Sequence, residues 1–265
     1  MCRETDRHLI EQLTWDEVAR RLENGAPAIL PIGAAAKEHG FHLPMNTDRI
    51  QAEWLAARLA DRVDALIWPT VVYGYYPAFT EYAGSSGLSS PVFEAMIHEI
   101  AADIIGFGCR AVFVLDTGIS TRAPVDRALA RLATGHALHL GVHDGPNYRR
   151  VATQLAEQSY GSHADELETS LMLAMAPDLV DMSRAEASPE MKYEVAGSLT
   201  PSNALSPNYS RSGSYGDPTL ATRAKGKILL AAMLDDLTEQ ATAFLATRAA
   251  AEDPSSKIKC QGASG

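Results

Sequence analysis

The chain has 265 residues, of which 46% are hydrophobic, and a formal net charge of -10 at pH 7. This length and apolar content are enough to bury a full core, so we predict a single domain over residues 1–250 and a disordered tail over residues 251–265. The acidic balance, without a basic run or a basic helix face, argues against nucleic acid and anionic membranes as partners. It favours a small-molecule substrate.

Cysteine usage and the first residues bear on the cellular compartment. Cys2, Cys109 and Cys260 are widely spaced, which predicts neither a disulfide framework nor a Cys-x-x-Cys metal site. The N-terminal residues lack the apolar core of a signal peptide, and no apolar stretch reaches the roughly 20 residues that span a bilayer. We therefore expect a soluble protein of the reducing cytoplasm.

Strands and helices alternate through the first half of the chain. A capping-box pattern at residues 14–17 begins a helix that ends near residues 24–25, and a buried strand follows at residues 26–32. Thr47 and Asp48 then begin a second helix. The pattern next predicts strands at residues 65–69, 111–115 and 137–142 and helices at residues 90–105 and 124–132. Such alternation predicts an α/β fold, a three-layer α/β/α sandwich with a mainly parallel central sheet.

Two long segments without a helical period interrupt this pattern. Residues 71–90 are rich in Gly, Tyr and Ser, and residues 189–218 are rich in Ser, Pro, Asn and Gly. Segments of this length usually cover a site or make a subunit contact. An amphipathic helix is predicted at residues 163–175, and a long closing helix is predicted from residue 218 to about residue 248.

Residues 37–48, directly after the first strand, concentrate reactive side chains. Lys37, Glu38, His39, His42 and Asp48 bring two imidazoles, two carboxylates and an amine into twelve residues. Imidazole nitrogen and carboxylate oxygen are ligands of zinc, manganese and iron. The carboxyl end of a parallel strand is also where ligands of open α/β sheets collect. We therefore predict a divalent metal site in this segment.

Three segments carry a family resemblance. They are residues 30–48, with the motif His39-Gly40-Phe41-His42-Leu43-Pro44; residues 163–170; and residues 215–221, with a Gly-Asp-Pro motif. Together they resemble the creatininase (creatinine amidohydrolase) family, from about residue 27 to residue 237. The resemblance implies a parallel sheet sandwiched by helices, a homohexamer, and a dinuclear metal centre that hydrolyses amide bonds in cyclic or small substrates.

The resemblance carries over only part of the metal-ligand set. His39 matches the first metal-binding histidine, and Asp48 matches the aspartate that bridges the two metals. Lys37 stands where a glutamate ligand is expected, Gly118 takes the place of a histidine ligand, and Ser120 stands where a glutamate can occur. Losing an imidazole and turning a carboxylate into an ammonium opposes the binding of a second dication.

Two alternatives stay open for the metal. In the first, Glu38, His39, Asp48 and Glu168 supply three or four ligands to one Zn, Mn or Fe ion, which leaves a position open for water. In the second, Lys37 pairs with Asp48 or Glu38, occupies the vacant position, and no metal binds. The expected count is therefore one or two ions per subunit, or none.

The remaining candidates concern catalysis and substrate binding. His163 matches a histidine that acts near the substrate in the family, and we predict it to be the general acid, with Lys37 and Glu38 as further catalytic candidates. The predicted substrate-binding residues are His42, Tyr75, Phe79, Tyr82, Asp116 and Ser120. Asp116 can also restore a metal ligand from its strand end. Four other histidines follow no ligand spacing and are predicted to be structural or surface residues: His98, His136, His139 and His143.

These features support two functional hypotheses. The first is a metal-dependent amidohydrolase that cleaves a non-peptide C–N bond of a small amide with a metal-activated water. The second is a family member that has lost the dinuclear site and binds a small molecule, catalyses another reaction, or supports an active paralogue. The retained His39 and Asp48 favour the first hypothesis, and Lys37 with the changed segment 116–121 favours the second.

Overall fold

The computed structural model describes residues 7–133, 135–188 and 198–252. Its centre is a four-stranded, fully parallel sheet with the strand order β2-β1-β3-β4. The strands are β1 (Ala28–Ile32), β2 (Leu66–Ile67), β3 (Val112–Asp116) and β4 (Ala137–Gly141). The central strands β1 and β3 are buried along their whole length, as expected for apolar strands covered on both faces.

Seven helices surround the sheet in the described part of the chain. They are α1 (Trp15–Glu23), α2 (Thr47–Val63), α3 (Ser90–Gly106), α4 (Arg122–Ala130), α5 (Pro146–Leu155), α6 (Glu166–Met175) and α7 (Arg223–Glu252). None of these helices is both long and apolar enough to cross a membrane.

The side chains of the central strands alternate between two hydrophobic cores. Ile29, Phe113 and Leu115 pack with helices α2, α5, α6 and α7 on one face. Leu30 and Val114 pack with helices α1, α3 and α4 on the opposite face. Because successive residues of a strand point to opposite faces, two helical layers enclose the sheet. The predicted three-layer α/β/α sandwich is confirmed.

Several predicted element boundaries differ from the structure. Strand β2 has two residues instead of five, since Pro69 has no N–H to continue a ladder. Helix α6 begins at Glu166 and not at residue 163, because Ala164 has a positive φ of 45° and Asp165 caps the helix through its carboxylate. Helix α7 begins at Arg223, after a 3₁₀ turn at Pro218–Leu220. Helix α5 is absent from the prediction.

Two predictions fall partly or wholly outside the described residues. These are the tail, apart from the last turn of α7, and residues 189–197 of the long second loop.

A close backbone contact fixes the site relative to the sheet. Gly33 follows β1 directly, and a Cβ atom added there would lie 2.4 Å from the backbone oxygen of Asp48. Only glycine therefore allows the first turn of α2 to lie against the end of β1 without a shift. The carboxylate of Asp48 is held at the carboxyl edge of the sheet as a result.

Candidate metal centre

Asp48 is the centre of a buried chain of polar contacts. Its Oδ2 lies 2.7 Å from Lys37 Nζ and its Oδ1 lies 3.0 Å from His39 Nε2. All three residues are less than 9% exposed. Burial disfavours the charged carboxylate, but the ammonium of Lys37 and the imidazole of His39 outweigh it and hold the pKa of Asp48 well below its usual range. The start of α2 adds the positive end of the helix dipole.

Lys37 is charged in this environment. Burial lowers the pKa of a lysine, but the carboxylates of Asp48, Glu168 and Glu38 raise the pKa of Lys37 above its usual value. Its Nζ also lies 5.0 Å from the centre of the Phe79 ring, within the range of a cation–π contact. The structure thus contains the ion pair between Lys37 and Asp48 on which the second alternative rests.

A second buried pair joins Glu38 to His163. His163 Nε2 lies 2.8 Å from Glu38 Oε1 and 3.0 Å from the backbone oxygen of Glu38. The backbone N–H of Gly40 donates to Glu38 Oε2 at 2.9 Å. Burial lowers the pKa of His163, but the Glu38 carboxylate raises it above its usual value overall. Glu38 therefore orients the His163 ring and favours a proton on Nε2.

Glu168 lies between the two histidines. Its Oε1 is 3.9 Å from His39 Nε2, and its Oε2 is 3.7 Å from His163 Nδ1. The side chain is held by Gln51 Nε2, which donates to Oε1 at 3.0 Å, and by the backbone N–H of Ala164, which donates to Oε2 at 2.7 Å. One ligand atom from each of His39, His163 and Glu168 lies within 4.8 Å of the other two.

The donor set of this cluster fits one divalent ion. His39 Nδ1 lies 2.9 Å from the backbone oxygen of Lys37, and His163 Nε2 faces Glu38. Metal-binding histidines usually donate their second N–H to a carbonyl or carboxylate in this way, which fixes the ligating nitrogen. Two histidines and one carboxylate with an open fourth position are also a ligand set of catalytic zinc sites. Of the four ligands predicted from the sequence, His39 and Glu168 belong to this cluster, and Asp48 and Glu38 contact its members.

The donor set does not fit a second ion. Lys37 Nζ occupies one side of the Asp48 carboxylate. Ser120 Oγ donates to the backbone oxygen of Tyr75 at 2.6 Å, and Gly118 has no side chain. Asp116, the possible replacement ligand, accepts bonds from Thr121 Oγ1 at 2.8 Å and from the Gly118 N–H at 2.9 Å.

A pocket of about 400 Å³ opens beside this cluster. Lys37, Asp48, His163 and Glu168 form one part of its lining, and segments 74–79 and 116–121 contribute other parts. Strands β1, β3 and β4 all end towards it, as expected for ligand sites of parallel sheets.

The predicted substrate-binding residues divide into two groups. Phe79, Asp116 and Ser120 line the pocket. His42, Tyr75 and Tyr82 are outside its lining. His42 Nε2 lies 2.8 Å from Thr169 Oγ1, Tyr82 donates to the backbone oxygen of Ser210 at 2.7 Å, and Tyr75 packs against the core beneath α3 and α4.

The pocket also contains residues that sequence reasoning did not select. His143 and Tyr148 line it, together with Tyr76, and His143 Nδ1 finds no hydrogen-bond partner in the part of the chain that the structure describes. The prediction that His143 is a structural or surface residue was therefore incomplete. The sequence does contain a signal for a place of His143 near the site. His143 directly follows the strand predicted at residues 137–142, and the carboxyl ends of parallel strands lie at the same edge of a sheet.

Comparison with known proteins identifies the family of this chain. The creatininase family model, described as creatinine amidohydrolase, matches residues 11–241. The chain belongs to the creatininase family. The creatinine amidohydrolase of Pseudomonas putida is 26% identical over 240 residues, which cover 83% of this chain and 91% of that protein. The mycofactocin precursor peptide peptidase of Mycolicibacterium smegmatis is 28% identical over 238 residues, which cover 84% of this chain and 87% of that protein.

The fold of the creatininase family is shared at the level of coordinates. A solved creatininase structure, described as a Mn form, aligns with a TM-score of 0.78 at 23% identity and covers 88% of this chain and 96% of that one. The family resemblance and the fold expected from the sequence are thus confirmed. The two relatives named above are hydrolases that act on C–N bonds, which is the enzyme class expected from the sequence.

Proposed function

We propose that this chain hydrolyses a non-peptide C–N bond of a small linear or cyclic amide bound in the pocket of about 400 Å³. The observation that carries the proposal is the cluster of His39, His163 and Glu168, which adjoins a pocket into which Lys37 also projects. The pocket volume suits a small ligand. The relative from Pseudomonas putida, named creatinine amidohydrolase, supports a substrate of this class.

We assign one divalent ion to His39 Nε2, His163 Nδ1 and a Glu168 oxygen. Such an ion supplies a Lewis acid and a water of lowered pKa, which is the nucleophile that amide hydrolysis needs at neutral pH. Glu38 orients His163, and Gln51 with the Ala164 N–H orients Glu168. These contacts hold His163 and Glu168 in position before substrate binds.

Lys37 has a separate part in the proposed reaction. Its ammonium lies at the pocket wall beside Phe79 and is fixed by Asp48. A fixed positive charge at this place stabilises the negative charge that develops on the amide oxygen during attack by water. Asp48 is then a positioning residue that holds Lys37.

His163 also supports a second assignment. Its raised pKa favours the protonated ring, which is the form required of the general acid predicted from the sequence. A ring that ligates through Nδ1 cannot donate a proton from that atom. Metal content separates the two roles, since His163→Asn abolishes hydrolysis in both but lowers metal occupancy only if His163 is a ligand.

The proposal is tested by assaying purified protein, loaded with Mn²⁺ or Zn²⁺, against a panel of small linear and cyclic amides that includes creatinine. Hydrolysis of at least one panel member is expected. His39→Asn, Glu168→Gln and Glu38→Gln should each lower the rate by about 10²-fold or more. Exposed Glu53→Gln and half-buried His98→Gln, which lie outside the pocket lining, are matched controls and should retain activity.

Two outcomes would contradict this proposal. One is hydrolysis that persists at wild-type rate in Glu168→Gln and after removal of metal by chelation. The other is binding of panel amides without any turnover, which would instead support the alternative of a small-molecule binder.

Two further assignments follow from the family resemblance. We propose a homohexamer, which sedimentation equilibrium of the purified chain checks directly. We also propose a cytoplasmic location, which cell fractionation checks.

A further inference from the structure

The burial of Lys37 needs a specific explanation. Lysine is almost never fully buried unless it is paired, yet Lys37 is 7% exposed. Its Nζ contacts Asp48 Oδ2 at 2.7 Å, on the carboxylate oxygen that His39 does not contact. Asp48 therefore bridges an ammonium on one side and an imidazole on the other. In this arrangement Lys37 supplies a positive charge at one carboxylate oxygen, and the proposed metal ligand His39 lies at the other.

The charges around the cluster match one dication together with Lys37. Glu38, Asp48 and Glu168 carry three negative charges within a buried network, and Lys37 cancels one of them. One divalent ion cancels the other two when both imidazoles are neutral ligands. A second divalent ion would leave two uncompensated positive charges, and buried unpaired charge is strongly unfavourable.

The side chains near the second position supply no replacement for Lys37. At Gly118, an added Cβ atom would lie 2.3 Å from Thr121 Oγ1, so a ligating side chain does not fit without a shift. Both carboxylate oxygens of Asp116 lie 2.8 Å from Thr121 Oγ1, so this carboxylate is already engaged in a hydrogen bond. Lys37, whose Nζ lies 2.7 Å from Asp48 Oδ2, is consequently the position at which a carboxylate would add a ligand beside that oxygen.

We propose that Lys37 is a built-in cation that takes the place of a second metal ion at Asp48, so that the centre accepts no more than one divalent ion. This inference deepens the proposed function, since it makes the hydrolase mononuclear and assigns Lys37 the electrostatic role of the missing ion. It also implies that a carboxylate at position 37 would open a second metal position between residue 37 and Asp48.

The test compares metal binding in four proteins: wild type, Lys37→Glu, Lys37→Gln and Lys227→Glu. Lys227 is exposed on α7, so Lys227→Glu is a control with the same change of net charge. Each protein is stripped with chelator, equilibrated with excess Mn²⁺ and desalted, and bound manganese per chain is measured by elemental analysis. Mn²⁺ electron paramagnetic resonance then distinguishes isolated ions from coupled pairs.

Lys37→Glu is expected to bind one more ion per chain than wild type, with a coupled-pair signal if the first position is also filled. Lys37→Gln should gain the same ion with at least tenfold weaker affinity, because a neutral amide replaces the carboxylate, and Lys227→Glu should match wild type. Two ions per wild-type chain would overturn the inference. A folded Lys37→Glu protein that gains no ion would also overturn it.

The metal-binding test distinguishes a failure of the inference about Lys37 from a failure of the proposed hydrolase function. If wild type binds no ion and Lys37→Glu binds one, the inference about Lys37 stands while metal-dependent hydrolysis by the wild type fails. If Lys37→Glu does not fold, the comparison of Lys37→Gln with wild type decides the inference in the same way.

Discussion

Removing the Asp48 charge should expose how strongly Lys37 depends on it. In Asp48→Asn the ammonium of Lys37 keeps its buried position but loses the carboxylate at 2.7 Å. Side-chain exposures of 9% for Lys37 and 6% for Asp48 leave little water to replace that contact. Breaking a buried pair from one side costs about 3–5 kcal/mol, so we expect the free energy of unfolding to fall by about that amount.

A double-mutant cycle separates the pair from its surroundings. Lys37→Met combined with Asp48→Asn removes both charges, so the double variant should be more stable than the sum of the single effects implies, by about 2 kcal/mol or more. Arg49 and Glu53 form a comparison pair with the same 2.7 Å separation, but their side chains are 47% and 45% exposed. Their coupling should be about 0.5 kcal/mol or less.

Urea unfolding at pH 7, followed by circular dichroism in the presence of chelator, measures all of these variants without a contribution from metal binding. The reasoning is refuted if Asp48→Asn costs no more than the exposed pair does. It is equally refuted if the effects of Lys37→Met and Asp48→Asn simply add.

Two further predictions concern other parts of the site. Gly213→Ala should destabilise the protein by about 1–3 kcal/mol and lower activity, because the added Cβ would lie 1.9 Å from Glu38 Oε2. The control Gly25→Ala has a similar positive φ but open space around it, so it should leave activity unchanged. Equal losses of activity in the two variants would contradict this prediction. Burial lowers the pKa of His42 to about 4 from an unfolded value of 6.5, so its contribution is complete above pH 6.5 and is lost as the pH falls towards 4. Wild type should therefore lose up to about 3 kcal/mol more than His42→Gln between pH 7 and pH 4, as measured by urea unfolding, and parallel pH profiles would contradict the prediction.

Much of the fold follows from local sequence patterns. The apolar runs at residues 28–32 and 112–115 form most of the two central strands, because four or five consecutive apolar residues suit a strand covered on both faces. Helix α5 was missed although Gly145 and Pro146 are a recognisable helix start. Its apolar residues Tyr148, Val151, Ala152 and Leu155 also recur at the helical spacing i, i+3, i+4, i+7, so the sequence contains a periodic signal for this helix as well.

The site was less predictable because its decisive contacts are distant in sequence. The segment 37–48 indicated a cluster of possible ligands, but it left open whether Lys37 would point to solvent or to a carboxylate. That choice depends on the approach of α2 to the end of β1, which Gly33 permits. The pairing of Glu38 with His163 spans 125 residues and cannot be inferred from spacing.

Anomalous diffraction from crystals of the Mn²⁺-equilibrated wild-type protein tests the central claim most directly. We predict a single anomalous peak per chain within coordination distance of His39 Nε2, His163 Nδ1 and Glu168, with Lys37 Nζ still in contact with Asp48. Two peaks per chain, or a single peak at Asp48 with Lys37 displaced, would contradict the account of a one-metal centre completed by a lysine.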